Sequence, residues 1–157
     1  MKQHWKIYTF WILLTEAVGA LSGWLSRDGM QLYMQTVEKP SLSPPGWVFP
    51  IVWTILYALL GFGAARIWLA PASGERSRSL NLFITQLVIN FFWSLIFFNL
   101  QAFGFAFLWL LLLWGLVLWM IISFRKVDPL AAKLQIPYLL WLSFAAYLNF
   151  GVWYLNR

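Results

Sequence analysis

The sequence predicts an all-α membrane protein, a bundle of five transmembrane helices with a long structured first loop. Hydrophobic residues make up 62% of the chain and charged residues only 10%. In 157 residues that balance cannot be arranged as an apolar core inside a polar shell. Five apolar runs, the first carrying Glu16 and the second Arg66 near its end and the others no formal charge, come close to the ~20 residues that a helix needs to cross hydrocarbon. Of the twelve tryptophans, six fall near the ends of those runs: Trp5, Trp24, Trp47, Trp68, Trp109 and Trp153. An indole prefers the headgroup layer at such ends.

The runs lie at about residues 7–25, 47–69, 80–100, 105–124 and 134–155, and with a lid loop at 26–46 they make one domain, 1–157. Before the first run, Lys2 and Lys6 resemble the start of a cleaved leader, but the run is long for one, and Glu16 and Trp24 favour a retained span. Basic residues sort by side of the membrane. Eight (Lys2, Lys6, Arg66, Arg76, Arg78, Arg125, Lys126, Lys133) share one side with the N-terminus and three (Arg27, Lys39, Arg157) the other. The positive-inside rule then places the N-terminus in the cytoplasm and the C-terminus and lid loop outside. Since the basic residues form no face or run, the net charge of +6 does not imply nucleic acid. With no cysteine, disulfides and thiolate sites are excluded. Uninterrupted apolar helices exclude an outer-membrane barrel.

Between the first two runs, Ser26 to Gly46 holds Tyr33, Met34, Val37 and Leu42 among polar residues, a composition that packs on something. Pro44 and Pro45 make the end of this loop stiff without secondary structure, and Pro50 sits in the first turn of the second helix. The stiffness predicts a lid over the outer mouth of the bundle. After the second run, ASGERSRS reads as a flexible polar turn, and the connection near Gln101 to Gly104 as a tight antiparallel hairpin. No internal repeat is visible, which argues against an inverted-repeat transporter, and no polar stripe runs through all five helices as a channel would need.

In hydrocarbon a polar side chain needs a partner, so the few within the spans mark inward faces. Gln86, Asn90 and Trp93 share one helical face, as do Trp53, Tyr57 and Gly61, and Trp141, Ala145, Leu148 and Asn149. Two readings of these stripes stand side by side. The amides pin helices together, or the three faces wall a cavity for a large, flat, apolar ligand. Glu16, near the middle of the first run, is either a protonated carboxyl bonded across the bundle or a proton site or partner of a ligand cation. Small-residue spacings at Gly19 to Gly23, Gly61 to Ala65 and Ala102 to Ala106 serve packing or dimerisation. His4 is the one histidine, and no metal cluster, phosphate loop or acyl-transfer triad can be assembled, so any chemistry must come from the ligand.

The segments KPSLSPPGWVFPIVWTILY, QLVINFFWSLIFF and IPYLLWLSFAAYLNFGVW together resemble the translocator protein family (TspO/MBR), also called tryptophan-rich sensory proteins or peripheral-type benzodiazepine receptors. The likeness covers nearly the whole chain. It implies a five-helix, multi-pass membrane protein, commonly a homodimer, here in a bacterial plasma membrane. It also implies a pocket beneath the first long loop for porphyrins such as protoporphyrin IX and haem, for sterols, and for isoquinoline or benzodiazepine drugs, with lipid as the surrounding partner and no obligatory cofactor. Carried onto this chain, the resemblance puts Trp53, Tyr57, Asn90, Trp93, Trp141, Ala145 and Asn149 in the pocket and Pro44 and Pro45 in the lid. Two positions depart from the family pattern: Tyr33-Met34 stands where Trp-Tyr is usual, and Phe150 replaces the tyrosine of a sterol-recognition segment. A pocket that senses, sequesters or moves porphyrin is the leading expectation. The alternative is enzyme-like, light-dependent oxidative breakdown of porphyrin, with Trp53 and Trp141 as the catalytic candidates.

Overall fold

In a computed structural model, residues 4–157 are described. Lys2, counted above in the charge asymmetry, lies outside them. Five long helices account for most of the chain: α1 (His4–Leu25), α3 (Val48–Leu69), α4 (Gly74–Ser94), α5 (Phe103–Val127) and α7 (Ile136–Asn156). Two short ones join them, α2 (Arg27–Thr36) and α6 (Pro129–Lys133), so the chain has more helices than the five expected. Among the described residues, four stretches are long and apolar enough to cross a membrane: Val48–Leu69, Gly74–Asn99, Phe103–Val127 and Pro129–Asn156. At 22 residues α1 is long enough, about 33 Å at 1.5 Å per residue, but it carries Thr15, Glu16 and Ser22 along its middle and end.

Local chemistry sets the boundaries. The turn read as flexible at ASGERSRS is mostly helix, because the Ser73 hydroxyl accepts from the Arg76 amide and Glu75 sits in the first turn of α4, where negative charge suits the helix dipole. At its far end α4 widens into one π-helical stretch, Leu95–Asn99, before a break at Gln101, whose φ is 51°. The Asp128 carboxylate caps α6 through the Leu130 amide, with Pro129 in the first turn, and also receives the Arg66 guanidinium at 2.6 Å. The loop expected at 26–46 is half helix. No proline interrupts it before Pro40, Asp28 favours its N-terminus, and the Lys39 ammonium bonds the carbonyls of Met34 and Val37 at its C-terminal end, at 3.2 and 2.9 Å.

The bundle is solid at one end and hollow at the other. Leu60, Phe83, Leu110, Leu113, Val117, Met120, Phe124, Tyr138 and Leu142 are all but fully buried in the solid half. There α1 lies against α3 so closely that a Cβ on Gly61 would come 2.4 Å from the Ile12 Cα, and the buried Thr15 hydroxyl reaches the Tyr57 carbonyl at 2.7 Å. Gly61 and the fully buried Ala65 thus serve packing within the chain. In contrast, α3 and α7 make almost no close backbone approach. Between them the Trp53 ring stands edge-on to Tyr138 and Trp141.

Cationic side chains lie over aromatic rings at both ends of the bundle. Arg76 sits 4.8 Å from the Trp68 ring at one end, and Arg27 lies 4.2 Å from Trp24 and Arg157 4.5 Å from Tyr154 at the other. Trp5, Trp24, Trp47, Trp68 and Trp153 are exposed, as belt residues should be. Trp109 is the exception: its indole N–H bonds the Ile89 carbonyl at 2.8 Å, which makes it a packing residue between α4 and α5.

Gly61→Ala forces α1 off α3, and overpacking of this kind costs about 1–3 kcal/mol. Thermal unfolding in detergent will show a lowered midpoint for Gly61→Ala and no loss for Gly115→Ala, whose Cβ would meet nothing within 4 Å.

Candidate functional site

The hollow half encloses a cavity of about 360 Å³, within the 300–1,000 Å³ range of small-molecule pockets. Five elements and the π-helical stretch wall it. From α3 come Phe49, Pro50, Trp53, Thr54 and Tyr57. Trp141, Ala145, Leu148 and Asn149 come from α7, and Trp93 with Phe97 and Phe98 from the end of α4. The α1 wall is Glu16 with small neighbours such as Gly19 and Gly23, and α2 closes the top with Met30 and Tyr33.

Aromatic rings organise the walls. Trp53 stacks on Tyr57 (5.5 Å between centroids, 28° between planes) and stands edge-on to Trp141 (6.4 Å, 89°). Trp141 is also edge-on to Phe49, at 5.9 Å. Across the cavity Trp93 stacks on Phe97 at 5.0 Å, and Tyr33 meets Phe97 and Phe98 at 5.4 and 5.3 Å. The π-helical stretch has a clear use here, since its wide turn carries Phe97 and Phe98 to both cavity and lid.

Behind the rings, polar groups satisfy one another in a chain of hydrogen bonds pointing one way. The Tyr57 hydroxyl donates to Asn90 Oδ1 (2.8 Å), the Asn90 amide to the Tyr138 hydroxyl (2.6 Å), that hydroxyl to Gln86 Oε1 (2.7 Å), and the Gln86 amide to the Phe83 carbonyl (3.0 Å). All four side chains are buried, where such a chain joins α3, α4 and α7 and its members polarise one another. Nearer the lid, the Trp93 indole N–H donates to Asn149 Oδ1 at 3.1 Å and the Asn149 amide to the Phe103 carbonyl at 2.8 Å. Trp141 differs. Its buried Nε1 has no acceptor among the described residues although the ring lines the cavity.

The lid is strapped at both ends. Gly29 lies against the Phe98 backbone, where a Cβ would come within 2.6 Å, and the Asn99 amide bonds the Leu25 carbonyl at 2.9 Å. Farther on, Glu38 exchanges two backbone hydrogen bonds with the Asn156 side chain, at 3.0 and 2.8 Å, and the Tyr147 hydroxyl donates to the Ser41 carbonyl at 2.7 Å. Burial of Tyr33 pushes its phenol up to about 12, so it stays neutral as it fills the lid.

Of the residues expected at the site, Trp53, Tyr57, Trp93, Trp141, Ala145 and Asn149 line this cavity together. Asn90 stands one layer behind, bonded to Tyr57. Pro44 and Pro45 are not among the lining residues; Pro44 is half-buried and Pro45 exposed, and the neighbouring wall is Phe49 and Pro50 instead. The two prolines end the loop so that α3 can start at Val48; they do not reach over the cavity. Tyr33, Phe97 and Phe98 were not singled out as site residues, although the apolar content of the loop and the spacing of four from Trp93 to Phe97 hinted at them. Among the described residues, no three His, Cys, Asp or Glu side chains gather as a metal site.

The pattern of the TspO/MBR family matches residues 11–155. The chain belongs to the TspO/MBR family. Relatives span the animal and bacterial branches. The translocator protein of Sus scrofa is 37% identical over 147 residues, covering 89% of this chain and 86% of its own length. Tryptophan-rich protein TspO of Chlorobaculum tepidum is 36% identical over 144 residues (89% of each). Protein CrtK of Rhodobacter capsulatus is 37% identical over 125 residues, 79% of this chain and 78% of its own. Family membership and the four apolar spans make this an integral membrane protein, as the resemblance had implied.

Two outcomes follow from these bonds. Tyr138→Phe strands both the Asn90 amide and Gln86 Oε1, whereas Tyr57→Phe strands Asn90 Oδ1 alone, so denaturation in micelles will show the larger loss for Tyr138→Phe, about 1–3 kcal/mol. Hydrogen exchange will report the straps. Asn156→Ala with Tyr147→Phe speeds exchange of amides in residues 36–43 while those of α5 keep their protection.

Proposed function

We propose that the cavity binds a flat tetrapyrrole, protoporphyrin IX or haem, and that the protein senses, sequesters or moves it across or within the membrane. The observation that carries this reading is the convergence of Trp53, Trp93 and Trp141 on one enclosed space beneath the strapped lid. Large rings offer a porphyrin contact area at little entropic cost. The names of two relatives, translocator protein and tryptophan-rich sensory protein, agree with movement or sensing. Isoquinoline, benzodiazepine and sterol-like molecules are further candidates for the same space. In this reading α1 is the fifth span, the N-terminus is cytoplasmic, the lid and C-terminus face outward, and two copies associate as a homodimer.

Titrating protoporphyrin IX against tryptophan fluorescence will give saturable quenching in the micromolar range, weakened about tenfold or more in the Trp53→Phe, Trp141→Phe double variant. Quenching that does not saturate overturns the proposal.

The edge-on pair Trp53 and Trp141 also favours a second reading, light-dependent oxidative breakdown of a bound porphyrin, with the two indoles stabilising reactive intermediates beside the ring. Illumination would then yield a distinct open-chain product. Identical bleaching by the double variant removes this alternative.

A further inference from the structure

Glu16 is the one carboxylate on the cavity wall, and the lining holds no Lys, Arg or His. Among the described residues it takes part in neither ion pair, Arg66–Asp128 or Arg78–Glu75. The cations at the lid are engaged elsewhere: Lys39 bonds the Met34 and Val37 carbonyls and Arg27 stacks on Trp24. The other ionisable groups on the wall are the phenols of Tyr33 and Tyr57, and the Tyr57 hydroxyl is spent on Asn90. No bond across the bundle to Glu16 occurs among the described residues.

Glu16 is itself half-exposed on the α1 wall. The Tyr57 ring packs on Gly19 one turn away, but Ala20 is exposed and a Cβ on Gly23 would meet nothing within 4 Å. A ligand edge can therefore reach the carboxylate. Trp141, whose ring lines the cavity, stands on α7, an element that does not pack closely on α1. The cavity thus presents one carboxylate acceptor, on the α1 wall, among indole and phenyl rings.

We propose that Glu16 sets the charge preference of the cavity, seating a protonated or N–H-bearing nitrogen at one edge of a flat aromatic ligand and turning ligand carboxylates away from α1. A carboxylate removed from bulk water needs a partner, and the ligand supplies the one that the bundle does not. A second negative charge at that edge meets like-charge repulsion in a low dielectric. This inference rests on the reading of the cavity as a site for flat aromatic molecules and adds which of them it favours.

Three porphyrins with one ring test it: protoporphyrin IX, its neutral dimethyl ester, and the cationic derivative whose propionates are converted to aminoethyl amides. In detergent, the wild-type protein will bind the cationic ring tightest and the dianionic ring weakest. Glu16→Gln keeps the side-chain shape and will shrink that preference about tenfold, leaving the neutral ester within about twofold. Glu16→Asp will keep the order of preference, which a packing role for Glu16 would not predict. Equal affinities, or an order untouched by Glu16→Gln, overturn the proposal. If none of the three porphyrins binds, the tetrapyrrole reading fails alone, and 9-aminoacridine against acridine-9-carboxylate decides the present one: preference for the cation, lost in Glu16→Gln, sustains it, while no preference, or no binding of either, sinks it.

Discussion

Hydrocarbon offers no hydrogen bonds, and that constraint explains more of this structure than any single contact does. Every polar group carried into the bundle must find a protein partner or face a space where something else can supply one. Most are matched internally. Gln86, Asn90, Tyr57 and Tyr138 form a chain in which each hydroxyl or amide donates to the next, and Thr15, Ser22 and Trp109 each reach a carbonyl on a neighbouring helix. Among the described residues Glu16, on the cavity wall, has no such partner, and neither do the buried Trp141 Nε1, Gln101 Nε2 and Gln135 Oε1.

The two sequence readings of the polar stripes therefore both hold, at different depths. On α4, Gln86 and Asn90 face the solid half and pin helices, whereas Trp93, one turn farther on, reaches the cavity. On α3, Gly61 serves the α1 contact while Trp53, two turns earlier, faces the cavity. A stripe of period 3.6 shows which side of a helix looks inward but not how far the neighbouring helix stands away. That distance depends on what the neighbours carry: glycine and alanine where α1 meets α3, indoles and phenols where α3 meets α7.

This is also why the fold was more legible in the sequence than the site's rim. Long apolar runs in lipid leave the backbone one economical choice, so α3, α5 and α7 could be located from composition. Against that, α2 lies outside the apolar runs, and its helix depends on contacts with Phe97 and Phe98 that no local pattern announces. The π-helical stretch is equally silent in sequence, because one extra residue in a turn changes no hydropathy. Pro44 and Pro45 misled for a related reason: rigidity is readable from proline, but the direction in which a rigid segment points is not.

Rigidity in the lid thus has two separate sources, and they differ in how they could be released. The prolines fix the approach to α3 through covalent geometry, which no solvent or ligand alters. The straps are another matter: Glu38 to Asn156, Ser41 to Tyr147 and Asn99 to Leu25 are side-chain bonds to backbone at exposed positions, where water can replace each partner at small net cost. Tyr33 opposes release, because its buried ring gives up apolar contact if α2 lifts. The lid is therefore stiffened by proline where it meets α3 and held at both ends by exchangeable bonds, with the buried Tyr33 ring between them. A cover built in this way can stay closed over an apolar cavity and still open as a unit, with the five long helices keeping their own contacts.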